Sequence, residues 1–179
     1  MSQSPSMQTV WKDRSAAGQG LVEHLFKYAH RPDVIVLALP RGGVPVAYEV
    51  VTALHVRLDL MLVRKLGVPS NPEFAMGAIA SGGIQILNDD ALRAHPIDQP
   101  SFDAVVARET RELLRREQAY RGTREPVQLK DQVVILTDDG LATGASMMAA
   151  IHAVRTQGPS RVVVAVPGGP LETVEAPPS

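Results

Sequence analysis

Residues 134–146 read VILTDDGLATGAS, and the fold turns on how this stretch is read. Val134, Ile135 and Leu136 continue an apolar run opened by Val133, with no polar residue alternating through it. A strand written this way is covered on both faces, which is the signature of a parallel sheet. Asp138 and Asp139 follow at once, so the strand delivers two neighbouring carboxylates to the carboxyl edge of the sheet. Ligands of open α/β sheets bind at that edge. Gly140 to Gly144 form a loop of small residues, and a helix then begins near Ser146 and runs to 156. Backbone N–H groups at a helix start point into the loop, and the helix dipole favours an anion there. Thr143 and Ser146 add hydroxyl groups. The stretch therefore joins an anion cradle to a carboxylate pair. Two carboxylates repel a bare phosphate, but they suit sugar hydroxyls, gripped directly or through a divalent cation. A ribose phosphate satisfies both halves.

The rest of the chain builds the same kind of sheet. Residues 34–39 (VIVLAL) are a second uninterrupted apolar run, ended by Pro40-Arg41-Gly42-Gly43. A helix over 44–54 and an apolar strand over 57–63 complete a βαβ unit. Gly158-Pro159 stops the helix that follows the acidic pair, and 161–166 (RVVVAV) is a fourth core strand. Before the first strand, Asp13 is placed to cap a helix over 15–28, with Leu21, Val22, Leu25 and Phe26 on one face. Residues 65–74 hold Gly, Pro and Asn and read as a loop. Residues 75–80 and 84–87 flank Ser81-Gly82-Gly83 and read as a hairpin. Residues 101–120 form a charged helix laced with Arg and Glu at spacings that pair on its surface. The first ten residues read as frayed and the proline-bearing tail after 167 as irregular. The expectation is one α/β domain over 1–179: a mostly parallel twisted sheet flanked by helices, with a flexible loop and hairpin over 65–87 as an appendage above the site.

Composition narrows the function. The 179 residues carry 18 Lys and Arg against 19 Asp and Glu, so no basic surplus supports a nucleic-acid or anionic-membrane surface. No apolar stretch approaches the ~20 residues that span a bilayer, and the polar N-terminus lacks the core of a signal peptide. There is no Cys, which excludes disulfides, thiolate metal sites and cysteine nucleophiles, and suits the cytoplasm. The five His residues are scattered without ligand spacing.

Residues 134–146 resemble the thirteen-residue signature by which type I phosphoribosyltransferases bind phosphoribosyl pyrophosphate (PRPP). Leu39-Pro40-Arg41-Gly42-Gly43 is similar to that family's pyrophosphate loop, whose entering peptide can be cis; the matching bond here is Pro40–Arg41. Residues 64–80 (RKLGVPSNPEFAMGAIA) resemble a bacterial subgroup of these proteins whose substrate is unassigned. The resemblance covers about 11–170. It implies the phosphoribosyltransferase type I fold and Mg²⁺-dependent transfer of a phosphoribosyl group from PRPP to a nitrogenous base, with release of pyrophosphate. It also implies a homodimer. Asp138 and Asp139 then hold the ribose hydroxyls, directly or with Mg²⁺. Ala142, Thr143, Gly144, Ala145 and Ser146 cup the 5-phosphate. Arg41, Gly42, Gly43 and Arg64 meet the pyrophosphate, and Lys65 and Glu73 stand in the lid as catalytic candidates. Members acting on 6-oxopurines carry Asp where this chain has Ala142, which argues against a hypoxanthine–guanine activity. Family members also continue into a further strand and a covering segment after the fourth core strand, where this chain has only 167–179. A non-catalytic PRPP or nucleotide sensor on the same fold is the alternative, and a receiver-like or Rossmann domain is the remote one.

Overall fold

The computed structural model describes residues 12–140, 144–167 and the backbone of 172–174. Asp13 caps the first helix as its side chain accepts a hydrogen bond from the Ala16 amide at 2.8 Å. That helix, α1 (Arg14–Leu25), ends in a 3₁₀ turn (Phe26–Tyr28). The chain then runs through β1 (Val34–Ala38), α2 (Gly43–Leu54) and β2 (Arg57–Leu60). Next come β3 (Val63–Val68), β4 (Asn71–Ala80), β5 (Ile84–Leu87), α3 (Asp89–Ala94) and α4 (Gln99–Arg121). The last elements are β6 (Val133–Thr137), α5 (Ala145–Arg155), β7 (Arg161–Ala165) and β8 (Glu172–Val174).

The main sheet has the order β2-β1-β6-β7-β8, with the first four strands parallel and β8 antiparallel to β7. The α/β class and the parallel sheet agree with the sequence reading. Because side chains alternate along a strand, each apolar run serves two cores. Val34, Val36, Val133, Ile135 and Val163 face α1 and α2. Ile35, Leu37, Val134, Leu136 and Val164 face α5 and the inner side of a second sheet. Each such side chain, removed wholly from water, contributes about 1.5–3 kcal/mol. This two-sided burial holds the ends of β1 and β6 side by side, at Ala38 and Thr137.

The second sheet corrects the expected loop. Residues 65–74 are not a loop but most of a hairpin, in which β3 and β4 pair antiparallel across the two-residue turn Pro69-Ser70. Leu66, Val68 and Met76 drive this by burying themselves against Val105 and Leu113 of α4. Gly67 sits where the ladder is irregular, and a Cβ there would lie 2.5 Å from the Pro72 carbonyl oxygen. The bulge lets Pro72 occupy a strand without a ladder hydrogen bond. The expected strand over 57–63 is likewise two elements, since β2 ends at Leu60 and Val63 opens the second sheet. The tail expected to be irregular also contributes a strand: β8 covers the β7 edge, whose backbone groups would otherwise lack partners. The short α3, absent from the sequence reading, is capped by Asn88.

Two ion pairs fasten α4 to the body. Arg121 is nearly buried and donates to Asp59 Oδ1 at 2.9 Å and to the Leu60 carbonyl at 2.7 Å. Arg64 donates through Nε and Nη2 to Glu109 Oε2, at 2.9 and 2.6 Å.

Candidate functional site

The carboxyl ends of β1 and β6 lie together, and the two loops that leave them meet. The Leu39 amide donates to the Thr137 carbonyl at 2.9 Å, which ties one loop to the other. The Pro40–Arg41 peptide is cis, as the family resemblance suggested. Gly42 and Gly43 then turn directly into α2, with the Gly43 amide bonded to the Leu39 carbonyl at 3.0 Å.

Both glycines are required by what they touch. A Cβ on Gly43 would lie 2.6 Å from the Thr137 carbonyl oxygen and 3.0 Å from the Asp138 Cα. A Cβ on Gly42 would lie 2.2 Å from Asp139 Oδ2. The Arg-Gly-Gly loop is thus packed on the acidic pair, and Arg41 is exposed at its rim.

Asp138 is half buried and Asp139 exposed. The Asp139 amide donates to Asp138 Oδ1 at 2.8 Å. Burial pushes the Asp138 carboxyl up to about 6; that hydrogen bond works against the rise, and the adjacent Asp139 charge adds to it. Beyond them, Leu141, Ala142 and Thr143 lie outside the described residues. Gly144 caps α5 with φ +73°, a left-handed conformation suited to glycine, and its carbonyl accepts the Met148 amide at 2.8 Å. Ala145 and Ser146 form the first turn of α5. Two helix starts, those of α2 and α5, therefore flank the carboxylates.

Arg14 completes the group, and the sequence reading missed it. From the first turn of α1, its Nε and Nη2 both reach Asp139 Oδ2, at 2.9 and 2.8 Å. A signal was present: the first turn of α1 holds no acidic residue and a cation instead, against the helix dipole.

The lid candidates are placed differently from the expectation. Lys65 lies on the face of β3 that turns to α5, where it shares the wall of a cavity of about 400 Å³ with Ala145, Ser146, Met148 and His152. Its Nζ is 3.5 Å from Glu73 Oε2, and Glu73 is otherwise in solvent. Arg64 is a correction. Strand alternation puts it on the face opposite Lys65, where its guanidinium is committed to Glu109 of α4 and is not directed to the Arg41 loop.

Among the described residues no three His, Asp or Glu side chains stand together as a metal cage, and no helix is long and apolar enough to cross a membrane.

Comparison with known proteins gives concordant matches. The family model described as a phosphoribosyl transferase domain matches residues 11–177. A Mycobacterium tuberculosis protein named "Putative phosphoribosyl transferase" is 44% identical over 165 residues, 92% of this chain. The match spans 37% of that relative, so this chain corresponds to little more than a third of its length. The crystal structure of TT1426 from Thermus thermophilus is 46% identical, with a TM-score of 0.75, covering 88% of this chain and 74% of that one. A hypoxanthine phosphoribosyltransferase from Staphylococcus aureus is 11% identical with a TM-score of 0.51, covering 92% of this chain and 71% of that one; this likeness concerns the fold alone.

Proposed function

Because the chain belongs to the phosphoribosyl transferase domain family, we propose that it binds PRPP with Mg²⁺ and transfers the phosphoribosyl group to a nitrogenous base, releasing pyrophosphate. The observation that carries this reading is the packing of Gly42 on the Asp139 carboxylate. It sets a loop suited to pyrophosphate against an acidic pair suited to a ribose, at the edge where the α5 start can take the 5-phosphate.

In this reading Asp138 and Asp139 accept hydrogen bonds from the ribose hydroxyls and orient the ring. The N–H groups of Gly144, Ala145 and Ser146, with Ala142 and Thr143, hold the 5-phosphate. Arg41 and the backbone of Gly42 and Gly43 hold the pyrophosphate. Lys65 adds a cation from the ribbon, with Glu73 as its partner. The C1–oxygen bond to pyrophosphate breaks while a C1–nitrogen bond forms, and the base gives up a proton. The chain's residues act by positioning and by countering charge, without a covalent intermediate.

The donors fit Mg²⁺. They are oxygen only, and an adjacent carboxylate pair with no third His, Asp or Glu grouped with it among the described residues suits an ion that keeps waters and arrives with substrate phosphates. When bound, Mg²⁺ would neutralise charge on the departing pyrophosphate.

The test is incubation with PRPP, Mg²⁺ and a broad panel of bases, read as pyrophosphate release. Calorimetry of PRPP binding runs beside it, with Asp138→Asn/Asp139→Asn as control. Release with one base supports transfer. Binding without release on the whole panel points to a sensor on the same fold. No binding by the wild type rejects both. The same reading puts the chain in the cytoplasm as a homodimer; light scattering that gave the monomer mass would remove the dimer.

A further inference from the structure

Arg14 sits in an unfavourable place for a structural ion pair. It occupies the first turn of α1, where the helix dipole opposes a positive charge, and the neighbouring acid, the N-cap Asp13, is turned to the Ala16 amide. Its side chain is 61% exposed and that of Asp139 35%. Exposed pairs of this kind contribute little stability. The contact nevertheless joins residues 125 apart in sequence, on the residue that Gly42 also touches.

The geometry explains more as a binding device than as a brace. Both contacts of Arg14, from Nε and Nη2, go to a single oxygen, Asp139 Oδ2. A guanidinium has five N–H groups, so several remain turned to solvent. Asp138 and Asp139 together repel any phosphate that approaches them, and a cation beside them removes part of that barrier. Arg14 and Gly42 flank the same carboxylate, so the ligand group nearest to Arg14 is the one held by the Arg41-Gly42-Gly43 loop.

We infer that Arg14 is a ligand-binding residue: one edge of its guanidinium rests on Asp139, and the remaining N–H groups take oxygens of the pyrophosphate moiety. This rests on the reading of the site as a PRPP site, and it adds a contact from α1 that neither the signature stretch nor the Arg41 loop supplies.

Calorimetry on the whole chain tests it, with Arg14→Gln and Arg14→Lys against the wild type. The probes are PRPP with Mg²⁺ and, separately, ribose 5-phosphate. Loss of a charge-assisted contact predicts a Kd for PRPP raised about tenfold in Arg14→Gln, and by less in Arg14→Lys, which keeps the charge without the planar fork. Ribose 5-phosphate should bind all three proteins within about twofold, and thermal melting should shift by no more than about 1 °C, as an exposed pair implies. PRPP binding unchanged or tightened in Arg14→Gln overturns the inference and leaves the site reading standing. Equal losses for the two probes overturn it as well, because Arg14 would then act only on the ribose through Asp139. A wild type that binds neither probe overturns the site reading itself.

Discussion

Gly42 stands so close to Asp139 that the glycine hydrogen is all the space between them allows: a Cβ would lie 2.2 Å from Oδ2 and 2.3 Å from Cγ. Gly42 itself has φ −60°, which any residue can adopt. A methyl group at 42 therefore displaces the exposed carboxylate and strains little backbone. Gly42→Ala should keep stability within about 1 kcal/mol of wild type, while PRPP binding falls at least about tenfold because Asp139 is moved. Denaturant melts and calorimetry on one preparation check this. Normal binding would show that Asp139 does not act from its observed position.

Gly43 makes the opposite prediction. Its neighbours are the Thr137 carbonyl oxygen and the Asp138 Cα, which are backbone and cannot swing aside. Gly43→Ala must push β6 from β1 or shift the start of α2. The cost should be about 1–3 kcal/mol, as for overpacked cores, seen as a lower denaturation midpoint at unchanged slope. Stability equal to Gly42→Ala would contradict the contact.

How far the sequence could be read follows from where each constraint lies. The strands at 34–38 and 133–137 were legible because burial on both faces leaves an uninterrupted apolar run. Gly42, Gly43 and the acidic pair were legible because close approach and charge are properties of the residues themselves. Residues 65–74 were not, because Gly67, Pro69 and Pro72 suggest a loop whereas a two-residue turn and a bulge place them in strands. Arg64, just before that stretch, was assigned to the pyrophosphate on the family resemblance alone, whereas within β3 its direction is set by the alternation, with Lys65 on the other face and Leu66 on its own. Arg14 was hidden for another reason: its partner lies 125 residues away, and a cation in the first turn of α1 does not by itself name that partner.

Arg64 should therefore matter to stability and not to binding. Its guanidinium neutralises Glu109, a carboxylate only 10% exposed that otherwise has Arg108 at 3.0 Å. Arg64→Gln should cost about 2 kcal/mol, less than a fully buried pair because Arg108 remains, and leave the PRPP Kd within about twofold. Burial works to raise the Glu109 pKa, but the hydrogen bonds from Arg64 and Arg108 outweigh it and the net shift is downward. A lowered carboxylate contributes stability that is present above its unfolded pKa and lost as pH falls through the folded value. The gap between wild type and Arg64→Gln should accordingly narrow in acid. A large rise in Kd would return Arg64 to the site.

Asp138 should behave in the reverse sense in the ligand-free protein. Its carboxyl is pushed from 3.8 up to about 6, first by burial, with the Asp139 charge adding to the effect. The folded chain then holds this proton more tightly than the unfolded chain. Stability falls as pH rises from about 4 to 6, and the full penalty remains above 6. Asp138→Asn removes the charge and keeps the shape. With the shift discounted for partial exposure, the variant should be more stable than wild type by about 1 kcal/mol at pH 8, or roughly 2–4 °C in melting temperature. The advantage should vanish near pH 4, where the wild-type carboxyl is already largely neutral in the folded state. Binding moves the other way, because an amide cannot supply the charge that Mg²⁺ and the ribose hydroxyls call for, so Asp138→Asn should lose PRPP while gaining stability. Thermal melts at the two pH values, with calorimetry at pH 8, separate these effects. A variant less stable than wild type at pH 8 would mean that the carboxylate is held by favourable contacts, contrary to the burial that raises its pKa.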